Sequence, residues 1–256
     1  MIPVPPPTKP KKRLSALPSR VIRRIPGLPW LLGWRDPLHI ARRSLRQAMV
    51  ARADFVRGRL LDVGCGGQPY RREFRQVTEY VAMDLPRQQG VTVYGSALAL
   101  PFADAVFDTV LCNQVLEHVP EPMRLVSESA RVLKPGGVLL LTTPQTWGLH
   151  HEPHDYFRFT KYGLRHLAEQ CGFTVIEVTP TTGLWATWAQ RLADTMVYTY
   201  LAKRGRLVKA LAGLALAPLL LAGYSLDKVF GFRGDTLDNV LLARKPETAP
   251  REEPTP

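Results

Sequence analysis

The sequence is poor in cysteine, poor in acid near its start, and holds no long apolar run close to its beginning. Three cysteines occur in 256 residues (Cys65, Cys112 and Cys171), far apart and never in CxxC spacing. A disulfide scaffold and a cysteine-based zinc site are thereby excluded. Acids number 22 against 34 Lys and Arg, and the shortfall is local. Residues 1–59 carry 14 basic residues and two acids, Asp36 and Asp54, whereas residues 60–256 carry 20 of each. The high isoelectric point therefore belongs to an extension, and the body of the chain offers no evident basic groove for nucleic acid. No apolar run of signal-peptide length follows the early charges, so secretion is not expected.

What is present suffices for a packed core: 45% of residues are apolar and 22% charged. The length suits one domain of about 200 residues with an extension. Between Ile2 and Pro29, eight prolines alternate with basic residues, a composition that favours extended, solvated chain. The stretch Pro29-Trp30-Leu31-Leu32-Gly33-Trp34 follows. Indoles beside arginines suit an anionic membrane interface; they equally suit a tail whose Trp30 and Trp34 pack back onto the domain. A nucleic-acid arm is the least favoured reading. The expected organisation is a basic Pro-rich extension over 1–36, a domain over 37–246, and a disordered tail over 247–256.

Residues 38–57 place Leu38, Ile40, Ala41, Leu45, Ala48, Met49, Ala53 and Val56 near helical spacing, with Arg42, Arg43, Arg46 and Arg57 largely opposite. The pattern predicts an amphipathic basic helix. Short apolar runs then recur at Leu60–Val63, Tyr80–Met83, Val91–Tyr94, Val106–Cys112, Val138–Thr142, Phe173–Val178 and Leu237–Ala243. Helical patterns separate most of them, such as Glu121–Leu133, stopped by Pro135-Gly136-Gly137, and Lys161–Gln170. Strands and helices in this rhythm predict βαβ units on a mostly parallel sheet. Ala210–Leu226 has 17 residues without a charge, short of the roughly 20 that span a bilayer. A strand that follows it in the same sheet also argues against a single crossing. A helical hairpin packed on the domain, or dipping into one leaflet, is expected.

The strongest local signal is Leu60-Leu61-Asp62-Val63-Gly64-Cys65-Gly66-Gly67, an apolar strand with an acid near its end and a glycine-rich turn after it. Such a turn lets backbone N–H groups approach a ligand closely. It is not a nicotinamide G-x-G-x-x-G turn, because the third glycine falls on Pro69. Asp84 ends the next strand, where a carboxylate offers two acceptor oxygens to a ribose. In order there follow Gly95-Ser96-Ala97-Leu98-Ala99-Leu100-Pro101-Phe102, Phe107-Asp108-Thr109-Val110, Asn113-Gln114-Val115-Leu116-Glu117-His118-Val119 and Arg131-Val132-Leu133-Lys134-Pro135-Gly136-Gly137.

This ordered set resembles the class I S-adenosylmethionine-dependent methyltransferases, in their type 11 small-molecule group, over about residues 58–180. Gly67-Gln68-Pro69-Tyr70 and His154-Asp155-Tyr156-Phe157-Arg158-Phe159-Thr160 look like a subgroup often found with glycan and cell-envelope genes. The resemblance implies an α/β, Rossmann-like, doubly wound seven-stranded sheet whose last strand, Leu237–Ala243, is antiparallel. The apolar helical insertion, about 185–232, then falls between strands six and seven. Position by position, it implies that Asp62 and the turn Gly64, Cys65, Gly66, Gly67 hold the methionine end of S-adenosyl-L-methionine. Asp84 binds the ribose, Leu85 packs on adenine, Ser96 and Ala97 face the adenine edge, and Asn113 and Gln114 line the floor beneath the sulfonium. Ser96 stands where the family usually has aspartate, and Gln68 replaces a glycine.

Methyl transfer needs alignment and desolvation more than any universal side chain. A base is required only for a weakly acidic acceptor such as a hydroxyl. The candidates are His151, His154 and His118, the first two in His150-His151-Glu152-Pro153-His154-Asp155-Tyr156-Phe157-Arg158, after the fifth strand. The order H-E-P-H does not fit the H-E-x-x-H zincin helix, so no metal is expected. The alternative is a polar loop ordered through Asp155 and Arg158. The expected acceptor is a small molecule, glycan or lipid-linked compound, handled in the cytoplasm or at the inner face of the membrane. A nucleic-acid methyltransferase is less favoured, because the fourth strand reads Asn113-Gln114-Val115 in place of an Asp/Asn-Pro-Pro-aromatic motif. A non-catalytic binding protein is least favoured, since Asp62, the glycine turn and Asp84 are intact.

Overall fold

A computed structural model of the chain describes residues 36, 38–86, 90–201, 203–231 and 234–247. Most of the basic extension, with Trp30 and Trp34, and residues 248–256 of the expected tail lie outside the described residues. Helix α1 (His39–Ala51) leads into a seven-stranded sheet: β1 (Arg57–Val63), β2 (Gln76–Asp84), β3 (Val93–Tyr94), β4 (Phe107–Asn113), β5 (Leu133–Pro144), β6 (Thr174–Pro180) and β7 (Asp238–Arg244). Helices α2 (Pro122–Val132) and α3 (Lys161–Gln170) connect β4 to β5 and β5 to β6. The order across the sheet is β3-β2-β1-β4-β5-β7-β6. β7 runs antiparallel to both of its neighbours, and the pairs from β3 to β5 are parallel. The expected Rossmann-like sheet with an antiparallel last strand is thus present.

Because side chains alternate across a strand, a sheet covered on both faces reads as continuous apolar sequence. In β5, Leu139 and Leu141 join one buried cluster while Leu140 joins the other; Leu241 and Leu242 divide in the same way in β7. Leu125 and Val126 of α2 and Leu164 and Leu167 of α3 cover the first face. Met49 at the end of α1, Tyr70 and Phe74 cover the second. Thr160 accepts the Gly163 N–H at 3.1 Å and so caps α3.

Three boundaries differ from the periodicity. The helix expected over 38–57 stops at Ala51, and Arg57 already belongs to β1. Val56 is fully buried there, a position that suits a helix stripe and a strand entrance alike. The strand prevails because partners wait across it: the Arg57 N–H reaches Thr109 Oγ1 at 3.1 Å and the Arg59 N–H reaches Asp108 Oδ2 at 2.8 Å. Pro135-Gly136-Gly137 does end the helical run, but it lies within β5, where Gly136 and Gly137 exchange hydrogen bonds with Lys245. The strand over Val91–Tyr94 shrinks to Val93–Tyr94.

Between β6 and β7 the chain forms α4 (Leu184–Asp194), a π-helical turn over Thr195–Tyr200, and α5 (Arg206–Phe230). This is the expected hairpin. Gly223 of α5 sits so close to α4 that a Cβ there would meet Ala189 Cβ at 2.6 Å. Asp227 caps α4 from the other helix, accepting the N–H groups of Gly183 at 2.7 Å and Trp185 at 2.9 Å. Ile40 and Ala41 of α1 complete a third cluster with Ala186, Ala189, Ala193 and Leu220. The outer side stays apolar: Trp188, Leu207, Leu211, Leu214, Val229 and Phe230 are all exposed. By length and composition the helix Leu207–Phe230 is able to cross a membrane, yet its return into β7 ties both ends to one sheet.

Candidate functional site

The carboxyl ends of β1, β2 and β4 meet at a cleft, the place where open α/β sheets bind ligands. β1 runs into the glycine turn, whose Gly64 and Cys65 N–H groups both donate to the Met83 carbonyl at the end of β2. Gly64 has φ 66, and a Cβ there would strike Val115 Cγ2 at 2.4 Å. Gly66 has φ 47, and a Cβ there would meet nothing within 4 Å, because the space above the turn is open. Asp84 closes the corner. Its Oδ2 accepts the Gly66 N–H at 2.8 Å and its Oδ1 accepts the Leu85 N–H at 2.7 Å.

The resulting cavity has a volume of about 600 Å³, within the range of small-molecule sites. Gly64, Gly66, Asp84, Leu85, Ser96, Ala97 and Gln114 line it, as do His118, His151 and His154. Most of the expected cofactor residues and all three candidate histidines therefore share one space. Met83, Leu98 and Val115 add apolar wall. Ser96 Oγ accepts the Leu98 N–H at 3.2 Å.

Four expected residues stand elsewhere. Gly67 lines an adjacent cleft with Arg71 and Arg72. Asp62, Cys65 and Asn113 do not line the cavity. Asp62 is buried behind the turn and accepts the Tyr80 hydroxyl; burial pushes its carboxyl up to about 7. Asn113 is turned aside, its Oδ1 accepting the Thr142 hydroxyl at 2.8 Å. Gln114 reaches the cavity from a left-handed backbone at φ 56.

The loop between β5 and α3 is held by a half-buried ion pair. Arg158 places both terminal nitrogens on Asp155 at 2.7 Å, and its Nη2 also reaches the Gly148 carbonyl at 2.9 Å. The Asp155 side chain is 1% exposed, and the guanidinium holds its carboxyl well below the usual carboxylate range. The same loop presents the histidines. His154 Nδ1 lies 2.9 Å from the Tyr156 hydroxyl, and His151 takes the left-handed region at φ 55. His118 Nδ1 lies 2.6 Å from the His154 carbonyl, so Nδ1 carries the proton and Nε2 the lone pair.

Sequence reasoning assigned no role to Glu117. Its side chain is fully buried, its Oε1 takes no hydrogen bond among the described residues, and burial pushes its carboxyl up to about 8. Its backbone carbonyl accepts the Tyr156 N–H at 2.8 Å, tying the histidine loop to the end of β4. The only signal in the sequence was an acid beside His118 inside an otherwise apolar stretch.

Residues 61–141 match the family model described as a methyltransferase domain. The likeness to such a domain covers about a third of the chain. The cofactor of such a domain is S-adenosylmethionine, and the residues present fit it: an open glycine turn, a carboxylate with free lone pairs, and an apolar wall. The domain is 33% identical over 127 residues to a ubiquinone biosynthesis O-methyltransferase from Xanthomonas oryzae pv. oryzae, covering 43% of this chain. The chain spans about half the length of that curated relative, 53%. Among solved structures, the cyclase SpnF is similar at TM-score 0.53 and 23% identity, over 80% of this chain and 81% of that one. A phosphoethanolamine N-methyltransferase 2 from Haemonchus contortus, in complex with S-adenosyl-L-methionine, is similar at TM-score 0.50 and 21% identity, over 80% of this chain and 52% of that one. These two likenesses concern the fold.

Proposed function

We propose that the chain is an S-adenosylmethionine-dependent methyltransferase whose acceptor is a small molecule, glycan or lipid-linked compound, handled at or near a membrane. The observation that carries the reading is that one cavity is lined by Asp84 and Gly66 and also by His118, His151 and His154. The cofactor supplies an electrophilic methyl group on a sulfonium. The chain's part is to bind and align. The Asp84 carboxylate accepts the ribose hydroxyls, Leu85 and Ala97 flank the adenine, and the open space above the glycine turn, backed by Asp62, receives the methionine end. Gln114 closes the floor.

Displacement at the methyl carbon removes positive charge, so a dry, aligned site favours it. A hydroxyl acceptor must also lose a proton. His151 and His154 reach the cavity from the loop and are the bases of this reading, whereas the free Nε2 of His118 faces Glu117 at 3.6 Å.

The acceptor class is supported by a second cavity of about 740 Å³, lined by Trp185, Trp188, Leu192, Leu219 and Leu226 of the helical hairpin together with Thr146. Thr146 lies just beyond β5, so this apolar trough opens beside the histidine loop. It suits the chain of a lipid-linked acceptor, and the exposed apolar side of α5 suits the surface where such acceptors reside. The O-methyltransferase relative supports an oxygen acceptor. The test is transfer of an isotope-labelled methyl group from S-adenosylmethionine into extracts divided into lipid and aqueous fractions. Label confined to the lipid fraction supports the reading, and label confined to the aqueous fraction overturns its lipid-linked part.

A further inference from the structure

We infer that Glu117, His118 and His150 form a binding site for one divalent transition-metal ion of the zinc, cobalt or iron(II) type, in the wall of the cavity where the acceptor enters. One donor atom from each of the three lies within 4.8 Å of the other two. Glu117 is fully buried and its Oε1 has no hydrogen-bond partner among the described residues. That oxygen lies 3.6 Å from His118 Nε2. The distance is too long for a hydrogen bond. It is close to the spacing of about 3.4 Å between two donors that sit 2.0–2.1 Å from one tetrahedral ion.

The histidines are already oriented as ligands. His118 directs Nδ1 at the His154 carbonyl, 2.6 Å away, which leaves the Nε2 lone pair facing the carboxylate. His150 has its Nδ1 3.1 Å from the Gly148 carbonyl and 3.3 Å from Asp155 Oδ2. Outer carbonyl and carboxylate partners of this kind fix the rings of metal-bound histidines. The rings of His118, His150 and His151 pack edge to face with centroids 4.7 to 5.4 Å apart, so the ligand rings are held against one another.

Two imidazoles and one carboxylate, with open positions toward a cavity, select a borderline transition metal over magnesium or calcium, which prefer all-oxygen shells. Such an ion also gives Glu117 Oε1 a partner, while Oε2 accepts the Thr143 hydroxyl at 3.3 Å. The ion's use rests on the methyl-transfer reading; its binding does not. An acceptor hydroxyl bound to it gives its proton to His151 or His154. The oxygen then forms a bond to the methyl carbon as the carbon–sulfur bond breaks, and that electron pair stays on sulfur as a thioether.

The test uses the full chain, freed of any polyhistidine tag and stripped with chelator, titrated with Co²⁺ and followed by visible d–d absorption. The expected result is one equivalent of ordered cobalt, displaced by Zn²⁺, with affinity lowered at least about 10-fold in Glu117→Gln and in His150→Ala. His166→Ala, at an exposed position of α3 outside the cluster, leaves it unchanged. Circular dichroism checks that each variant is folded, and S-adenosylmethionine titration of the same samples reads the cofactor site separately. Absence of stoichiometric cobalt binding in folded protein that still binds the cofactor overturns the metal site alone. Cobalt binding that survives both substitutions in folded protein overturns it as well.

Discussion

Asp84 Oδ2 accepts the Gly66 N–H at 2.8 Å, so the acid that ends β2 fixes the turn that ends β1. One carboxylate thereby shapes the cradle and contributes to it. The two glycines of the turn do different work, which substitution separates. Gly64→Ala puts a methyl group 2.4 Å from Val115 Cγ2 at a left-handed φ; the strain and overpacking together cost about 2–4 kcal/mol of stability. Gly66→Ala meets open space and costs only about 1–2 kcal/mol. Its methyl group projects where the cofactor lies, however, and lowers cofactor affinity at least about tenfold. Thermal melting and cofactor titration of the two variants should show opposite rankings.

Asp62 predicts a pH effect of definite sign. Its ordinary value is about 3.9, and burial raises it to about 7 in the folded chain. Between those values the folded state holds more protons, so stability falls as pH rises through the window and levels off above it. Asp62→Asn removes this contribution. The variant should melt several degrees above the parent at pH 8 and gain nothing at pH 4. A slope remains from Asp238, which burial also raises to about 7.

Arg158 and Asp155 predict the behaviour of the histidine loop. Breaking a pair whose acid is 1% exposed costs about 3–5 kcal/mol. Arg158→Lys restores charge but not the two-pronged contact, so it should recover little. Limited proteolysis should cut residues 145–158 in both Arg158→Met and Arg158→Lys, while cofactor affinity stays within about twofold of the parent.

The sheet was legible because each of its strands is an apolar run bounded by turn residues. The order of motifs also brought Asp84 and the glycine turn to one corner, whereas Asp62, Cys65 and Gly67 stand outside the cavity. Val56 fits a helix stripe and a strand equally, so the end of α1 was misread. Asn113 and Gln114 are neighbours that a strand end sends in opposite directions, and spacing alone does not say which one enters the cavity. Glu117 was hidden for a different reason. Its environment is made by Thr143 near the end of β5 and by His150 from the chain after it, and no local pattern records that meeting.

The exposed side of α5 predicts association with anionic vesicles. Leu211→Glu with Leu214→Glu places two charges on a face with more than half of each side chain's surface in solvent, so folding should be little changed. Vesicle flotation should fall at least about fivefold, and the fluorescence blue shift of Trp185 and Trp188 on vesicle addition should disappear. Unchanged flotation in the double variant would remove α5 from the membrane-binding account.

The central claim is the cofactor site, and calorimetric titration of the full chain with S-adenosylmethionine tests it most directly, beside Asp84→Ala. The account predicts saturable binding of one equivalent, weakened at least about 30-fold in the variant, because charge-assisted hydrogen bonds contribute about 1.5–3 kcal/mol each. No binding to folded protein, or equal binding by the variant, would contradict it.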